Sequence, residues 1–214
     1  MKFSIKVMTA MIVIAMVLGG AFSSSAQETN GEWISLFDGE TLENWQAGEN
    51  PETFSLEDGI IKVDGPRAHL FYSGPVENHD FTNFEFQADV KTTEGSNSGI
   101  YFHTEYQEEG WPEKGYEVQV NNTDDDPRKT ASLYAVKDIM NDAPAKDGEW
   151  FTLHIKVQDK NVTVKLDGET LIEYTEPENV DREGRVLDSG TFALQGHDPE
   201  SVVYYKNIKV KPLP

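Results

Sequence analysis

The stretch GYEVQV, residues 115–120, carries alternating chemistry. As a strand it sends Tyr116, Val118 and Val120 to one side and Glu117 and Gln119 to the other, with Asn121 continuing the polar row. A carboxylate followed at strand spacing by two amides puts one titratable group beside neighbours that hydrogen-bond without titrating. A solvated sheet face accounts for such a row. The more specific reading is the floor of a sugar-binding cleft, with Glu117 as catalytic base or metal ligand and Gln119 binding beside it.

Two further stretches add groups of the same kind. In NSGIYFHTE (97–105), alternation puts Tyr101, His103 and Glu105 on one side and Ile100 and Phe102 on the other. In TFALQGH (191–197), Phe192 and Leu194 read as core, which sends Gln195 and His197 to the cleft. His103 and His197 are catalytic candidates because imidazole titrates in the useful range, although a satisfied sheet-face or loop histidine would look the same. His69, in AHLFY, is placed at the cleft rim. Asn97 is either a sugar contact or the start of an Asx turn. Trp111 and Tyr134 are candidate platforms for a pyranose ring. His79 reads as a turn residue and His154 as part of an exposed strand face.

Metal chemistry has two candidate locations. Asp124, Asp125 and Asp126 follow two asparagines and gather hard oxygen donors, as calcium would need. They lack the spacing of a known calcium loop, and a solvated turn before Pro127 explains them as well. Separately, Glu117 and His103 are the pair that could hold a divalent ion. The chain has no cysteine, which excludes disulfides and thiolate metal sites, and no cofactor is required by the sequence.

These groups need strands to position them. FEFQADVK (84–91) and FTLHIKV (151–157) alternate cleanly, and 161–174 is a hairpin turning at Asp167-Gly168. Sustained helical periodicity is missing, so the fold class is all-β, a sandwich or barrel. The loops richest in turn residues, 104–114, 121–130 and 138–149, come after strands expected to lie together and so form the walls of a site. Residues 1–26 have the layout of a secretory signal peptide: two lysines, an apolar run and a small-residue end. Cleavage after Ala26 would leave 188 of the 214 residues as one domain, 27–214, exported to the periplasm or beyond. Loss of Lys2 and Lys6 would take the formal charge from −20 to −22. So acidic a chain repels nucleic acid and anionic lipid, leaving a soluble monomer with no membrane partner after cleavage.

Six segments together carry a resemblance. WISLFDGETLENW (33–45), NSGIYFHTEY (97–106), GYEVQVNN (115–122), ASLYAV (131–136), residues 148–169 and residues 190–210 resemble, in order, the 3-keto-disaccharide hydrolase family. That resemblance covers 33–211 and implies a concanavalin A-like jelly roll, two curved antiparallel sheets with one lining a carbohydrate cleft. It implies an oligosaccharide or glycoside ligand. Where members often carry Arg after the NSGI run this chain has His103, and where they often carry an acid after the GYEVQ strand it has Asn121 and Asn122.

The resemblance also implies a reaction. In a 3-keto sugar the ketone acidifies the C2 hydrogen; one base removes it, the enolate expels the C1 substituent, and water adds to the enone. One tuned base, donors at the ketone oxygen and an acid for the leaving group suffice. Glu117, His103 and His197 are the catalytic candidates, with Gln119, Asn97, Tyr101, Trp111, Tyr134, Gln195 and His69 binding the sugar. Two alternatives share the scaffold. A retaining β-glucanase needs two carboxyls about 5–5.5 Å apart, and at the matching spacing Gln119 and Asn121 are amides that cannot act as nucleophile or acid. A non-catalytic carbohydrate-binding module would keep Trp111 important and tolerate Glu117→Gln.

Overall fold

Period-two alternation is realised in two antiparallel sheets in a computed structural model that describes residues 31–214; the signal-peptide expectation lies outside the described residues. The strands are β1 (Ile34–Ser35), β2 (Trp45–Ala47), β3 (Phe54–Glu57), β4 (Ile60–Asp64), β5 (Ala68–Tyr72), β6 (Phe84–Thr92) and β7 (Asn97–Thr104). They continue with β8 (Tyr116–Asn121), β9 (Phe151–Gln158), β10 (Asn161–Leu166), β11 (Glu169–Thr175), β12 (Thr191–Gly196) and β13 (Val202–Pro212). The larger sheet runs β11-β10-β9-β6-β13-β4-β3, with β1 also paired to β13. The smaller runs β2-β5-β12-β7-β8 and carries the Glu117 row.

The apolar halves of both sheets meet between them. Phe86, Val90, Leu153 and Ile155 of the larger sheet oppose Ile100, Phe102, Val118, Val120 and Leu194 of the smaller, all without solvent exposure. Phe192 is the hub, its ring centroid 4.6–4.9 Å from those of Phe81, Phe84 and Phe86. The hairpin turns where expected, with positive φ at both Asp167 (48°) and Gly168 (86°), the conformation that matches strand twist in a two-residue loop. Trp45 is a framework residue, donating its indole N–H to the Leu36 carbonyl at 2.9 Å. Trp33 and Trp150 instead lie under lysine ammoniums of the larger sheet, Lys209 and Lys206.

Alternation suggests that the polar face of β7, β8 and β12 is wetted, yet every residue of the three strands is buried. Loops roof that face. The segment 129–139 also caps the outer edge of β8. Thr130, Ala131 and Tyr134 donate their N–H groups to the carbonyls of Asn121, Gln119 and Glu117 at 2.8–2.9 Å, which pairs an otherwise bare edge.

β7 contains a bulge. On β12, Thr191 and Ala193 pair with Thr104 and Tyr101, so three steps on one strand match two on the other, and His103 sits at φ 54°. Neighbouring Gly115, itself at φ 83°, leaves room for the bulged carbonyls: a Cβ there would collide with Phe102 O.

Candidate active site

Strand pairing sets one polar group from each strand side by side. Gln195 of β12 pairs with His69 of β5, Tyr101 of β7 pairs with Glu117 of β8, and Gly99 pairs with Gln119. Gly99 is a gap in this array. A Cβ at that position would overlap Glu117 Oε1 and lie 2.9 Å from its Cγ. The carboxyl therefore leans across the gap, where Gln195 Nε2 donates to Oε1 (3.0 Å) and Tyr101 Oη–H donates to Oε2 (2.9 Å). Gln195 Nε2 also donates to the Tyr101 oxygen (3.1 Å), closing a triangle around the acid.

Glu117 is the electrostatic centre. Burial penalises its charged form and raises its pKa to about 7, against the opposing pull of the Tyr101 hydroxyl, Arg185, Gln195 and His197. Tyr101 is pushed well above the usual phenol range, first by burial and then by the Glu117 charge, so it keeps its proton. The Gln119 amide lies between Glu117 and Asn97. With its NH2 turned to Glu117 it donates to Oε1 at 3.2 Å and to Ser98 O at 3.3 Å, which suits the carboxylate.

Around this floor is a cavity of about 260 Å³ lined by Asn97, Tyr101, Glu117, Gln119, Gln195 and His197 among others. Trp111 and Tyr134, the proposed platforms, also line it, and Trp111 is 43% exposed. The Trp111 loop is pinned by Glu49, which accepts the Gly110 N–H (3.0 Å) and the Arg67 guanidinium (2.7 Å). His197 Nδ1 pairs with Asp198 Oδ2 at 2.6 Å. Burial works against the Asp198 charge, but His197, the Glu200 N–H and Ser201 hold its carboxyl below the usual range. The Asp198 carboxylate accepts from Nδ1–H and so fixes the ring of His197 against the cavity that it lines.

His103 is a correction to the sequence expectation, both as a catalytic candidate and as a metal ligand. The bulge rotates it out of the polar row. Its ring packs on Phe84 and Phe102 at 5.6 Å. Nδ1 accepts the Asp188 N–H (3.2 Å), and Nε2 therefore donates to Thr82 O (2.8 Å). Burial lowers its pKa, so it is a neutral pin between two loops. His69 is buried beneath Trp111, centroids 5.6 Å apart, rather than on the rim. Burial drives its pKa down to about 4, and its Nε2 has no protein partner. Glu105 is exposed and paired with Lys114.

Asn121, third in the row, is consumed by the adjoining loop. Its Nδ2 donates to the carbonyls of Asp126 and Arg128, both at 2.9 Å, and its Oδ1 accepts the Asp124 N–H at 3.0 Å. The position considered for calcium holds the Lys129 ammonium, 2.7 Å from Asp124 O and 3.4 Å from Asn121 Oδ1. Among the described residues no three histidine, aspartate or glutamate side chains converge, and with His103 turned away the donor set does not fit the divalent ion considered from the sequence.

Two residues that the sequence did not place in the cleft complete the wall. Asp126 reaches the cavity because Asn121 folds its loop back, and Arg185 arrives from the segment before β12. The buried carboxylate of Glu176 anchors that segment, accepting the Leu187 N–H at 2.7 Å and Lys160 at 2.9 Å. The aspartate run before Pro127 was a signal for Asp126; nothing local marked Arg185.

Comparison with known proteins bears on this geometry. Residues 32–211 match the 3-keto-alpha-glucoside-1,2-lyase-like domain family. A 3-keto-disaccharide hydrolase of Bacteroides thetaiotaomicron is 29% identical over 168 residues, which cover 66% of this chain; the chain spans 58% of that relative's length. A crystal structure from Parabacteroides distasonis, provisionally named a glycosyl hydrolase, superposes with a TM-score of 0.71 at 22% identity, covering 85% of this chain and 94% of that one. A Bacillus subtilis protein with a galectin-like fold gives a TM-score of 0.62 at 10% identity, covering 85% and 94%. At these identities the two structures speak to the fold, a jelly-roll sandwich.

Proposed function

This chain belongs to the 3-keto-alpha-glucoside-1,2-lyase-like domain family, and we propose that it cleaves 3-keto-glycosides by elimination across C1–C2 followed by hydration. The observation that carries this reading is Glu117: one buried carboxyl, its pKa raised to about 7, accepting two hydrogen bonds on the cavity floor. A base poised near working pH is what abstraction of a ketone-acidified proton asks for.

In the first step the Glu117 carboxylate takes the C2 proton, and the C2–H electron pair becomes an enolate with its charge on the C3 oxygen. Amide and hydroxyl donors and the permanent cation of Arg185 favour that charge in a cavity walled by protein. The enolate then re-forms the ketone and expels the C1 substituent, whose oxygen takes a proton from His197. In hydration, a water gives its proton back to His197 and its hydroxide to C1, and Glu117 returns its proton to C2. The sum is one water in and one alcohol out. Double displacement is disfavoured, because Asn121 is tied into its loop and Gln119 is an amide.

The test is mass spectrometry of the protein incubated with 3-keto-trehalose and 3-keto-cellobiose beside the unoxidised sugars, with and without EDTA. Consumption of the keto sugars alone, with a transient glycal-mass product, is expected. If no sugar is consumed while sugars still bind, the Glu117 floor belongs to a lectin and the mechanism is wrong.

A further inference from the structure

We propose that the outer face of the larger sheet, on the far side of the sandwich from the Glu117 cavity, is a docking surface for an anionic polysaccharide built of uronate rings. The inference stands apart from the reaction proposed above and uses none of its residues.

Charge on this chain is unevenly spread. Alternation turns one side of β6, β9, β10 and β13 outward. That side carries Lys91, Lys156, Lys165, Lys206, Lys209 and Lys211, six of the chain's 18 Lys and Arg residues. Of the 38 Asp and Glu residues it carries Glu85 and Asp89. Both acids are already engaged. Glu85 accepts from Lys211 (3.2 Å) and meets His154 Nε2 (3.0 Å), and Asp89 accepts from Thr152 (2.7 Å) and Asn207 (2.6 Å). Among the described residues, no carboxylate oxygen lies within 4.0 Å of the other five ammoniums. A chain with twice as many acids as bases has thus kept carboxylates away from one cluster of lysines.

Three of those ammoniums are held by aromatic rings instead. Lys206 Nζ lies 4.0 Å from the Trp150 ring centroid, and Lys91 Nζ lies 5.0 Å from the same ring and 4.6 Å from that of Tyr204. Lys209 Nζ lies 5.0 Å from Trp33. Cation–π contact fixes side chains that would otherwise sweep freely, so less entropy is lost when an anion arrives. Two ammoniums on one indole, with no carboxylate in ion-pair reach of either, make a place that a single ligand carboxylate bridges.

The aromatic rings and the charge of the whole chain select among anions. Trp33 packs against His154 and Lys209 of this face and is 39% exposed, a plate for the C–H side of a sugar ring. Four strands at sheet spacing give a strip about 14 Å across, on which linked rings can lie. The other large exposed hydrophobics, Tyr106, Trp111 and Met140, lie off these strands, so the face has too little apolar surface for a membrane to take up. A nucleic acid backbone carries a denser charge, which the rest of a chain of net charge −20 repels. A polyuronate, with one carboxylate per ring, suits both the lysines and the tryptophan.

The experiment measures retardation in native gels cast with polygalacturonate, with neutral hydroxyethylcellulose, or with no polymer, and Kd by titration at low and physiological salt. It compares the wild-type chain with Lys91→Gln/Lys206→Gln, with Trp33→Ala, and with Lys137→Gln/Lys146→Gln, a charge-matched control at exposed positions off these strands. All five side chains are at least partly exposed, and urea denaturation verifies that each variant folds. Polygalacturonate should retard the wild type, with a Kd that rises with salt. Affinity should fall roughly tenfold in Lys91→Gln/Lys206→Gln, several-fold in Trp33→Ala, and not at all in the control. No retardation of the wild type, equal retardation by the neutral polymer, or equal affinity in Lys91→Gln/Lys206→Gln and the control would overturn the surface. Tighter binding of the wild type to anionic phospholipid vesicles or to duplex DNA than to polygalacturonate would overturn its assignment to a carbohydrate.

Discussion

Replacing Glu117 by glutamine should abolish turnover and, above neutral pH, make the protein more stable. The carboxyl has a pKa of about 7 in the folded protein against 4.5 for the ordinary side chain, a difference of about 2.5 units. The folded state thus holds this proton more tightly than the unfolded chain does. Its contribution to stability is complete below about pH 4.5 and is lost as pH rises through about 7. At about 1.4 kcal/mol per unit, the native state at pH 8.5 carries a penalty of about 3 kcal/mol. Glutamine keeps the shape, still accepts from Gln195 through its carbonyl, and can donate to Tyr101, whose hydroxyl rotates to accept. It carries no charge to desolvate. For a chain of this size the gain converts to a Tm increase of roughly 6–12 °C at pH 8.5 and close to none at pH 5. Urea denaturation and thermal unfolding at both pH values measure it. Equal shifts at the two pH values, or destabilisation at pH 8.5, would refute the view that Glu117 is a buried acid held at the expense of stability.

Gly99→Ala should lower kcat at least a hundredfold, because the new Cβ displaces the Glu117 carboxyl from its donors, while destabilising the fold by about 1–3 kcal/mol; activity and unfolding are measured on the same sample. The kcat/KM profile should rise through about pH 7 as Glu117 ionises, and Tyr101→Phe, which removes a donor to the carboxylate, should move that limb about 1–2 units to higher pH. His103→Ala should lose roughly 3 kcal/mol of stability in urea denaturation while the folded fraction keeps its turnover. His197→Ala should instead keep its stability and lose kcat by about 10²–10⁴, least for substrates with acidic leaving groups.

Much of the site was legible because strand parity is local. Once 115–120 and 191–196 are strands, the core-facing Val118 and Phe192 dictate that Glu117, Gln119 and Gln195 share the opposite face, and they do. The Asp167-Gly168 turn was readable for the same reason, since its φ values depend on two residues alone.

Parity failed at His103, where a single extra residue in β7 reverses the facing of the side chains after it. The need for that residue arises from pairing with Thr191, far along the chain. The solvated face expected from alternation is roofed by loops, and no pattern inside a strand reveals whether a distant loop will cover it. Asp126 and Arg185 enter the cavity only because Asn121 and Glu176 tie down the segments that carry them. The sequence by itself determined the all-β class, the polar row and the acid at its head, since each depends on neighbours one or two residues away. The tertiary structure alone decided the charge behaviour of that acid. Its pKa is set by exclusion of water and by donors from β7 and β12, and these converge on Glu117 only when the sheet has closed and the loops have docked.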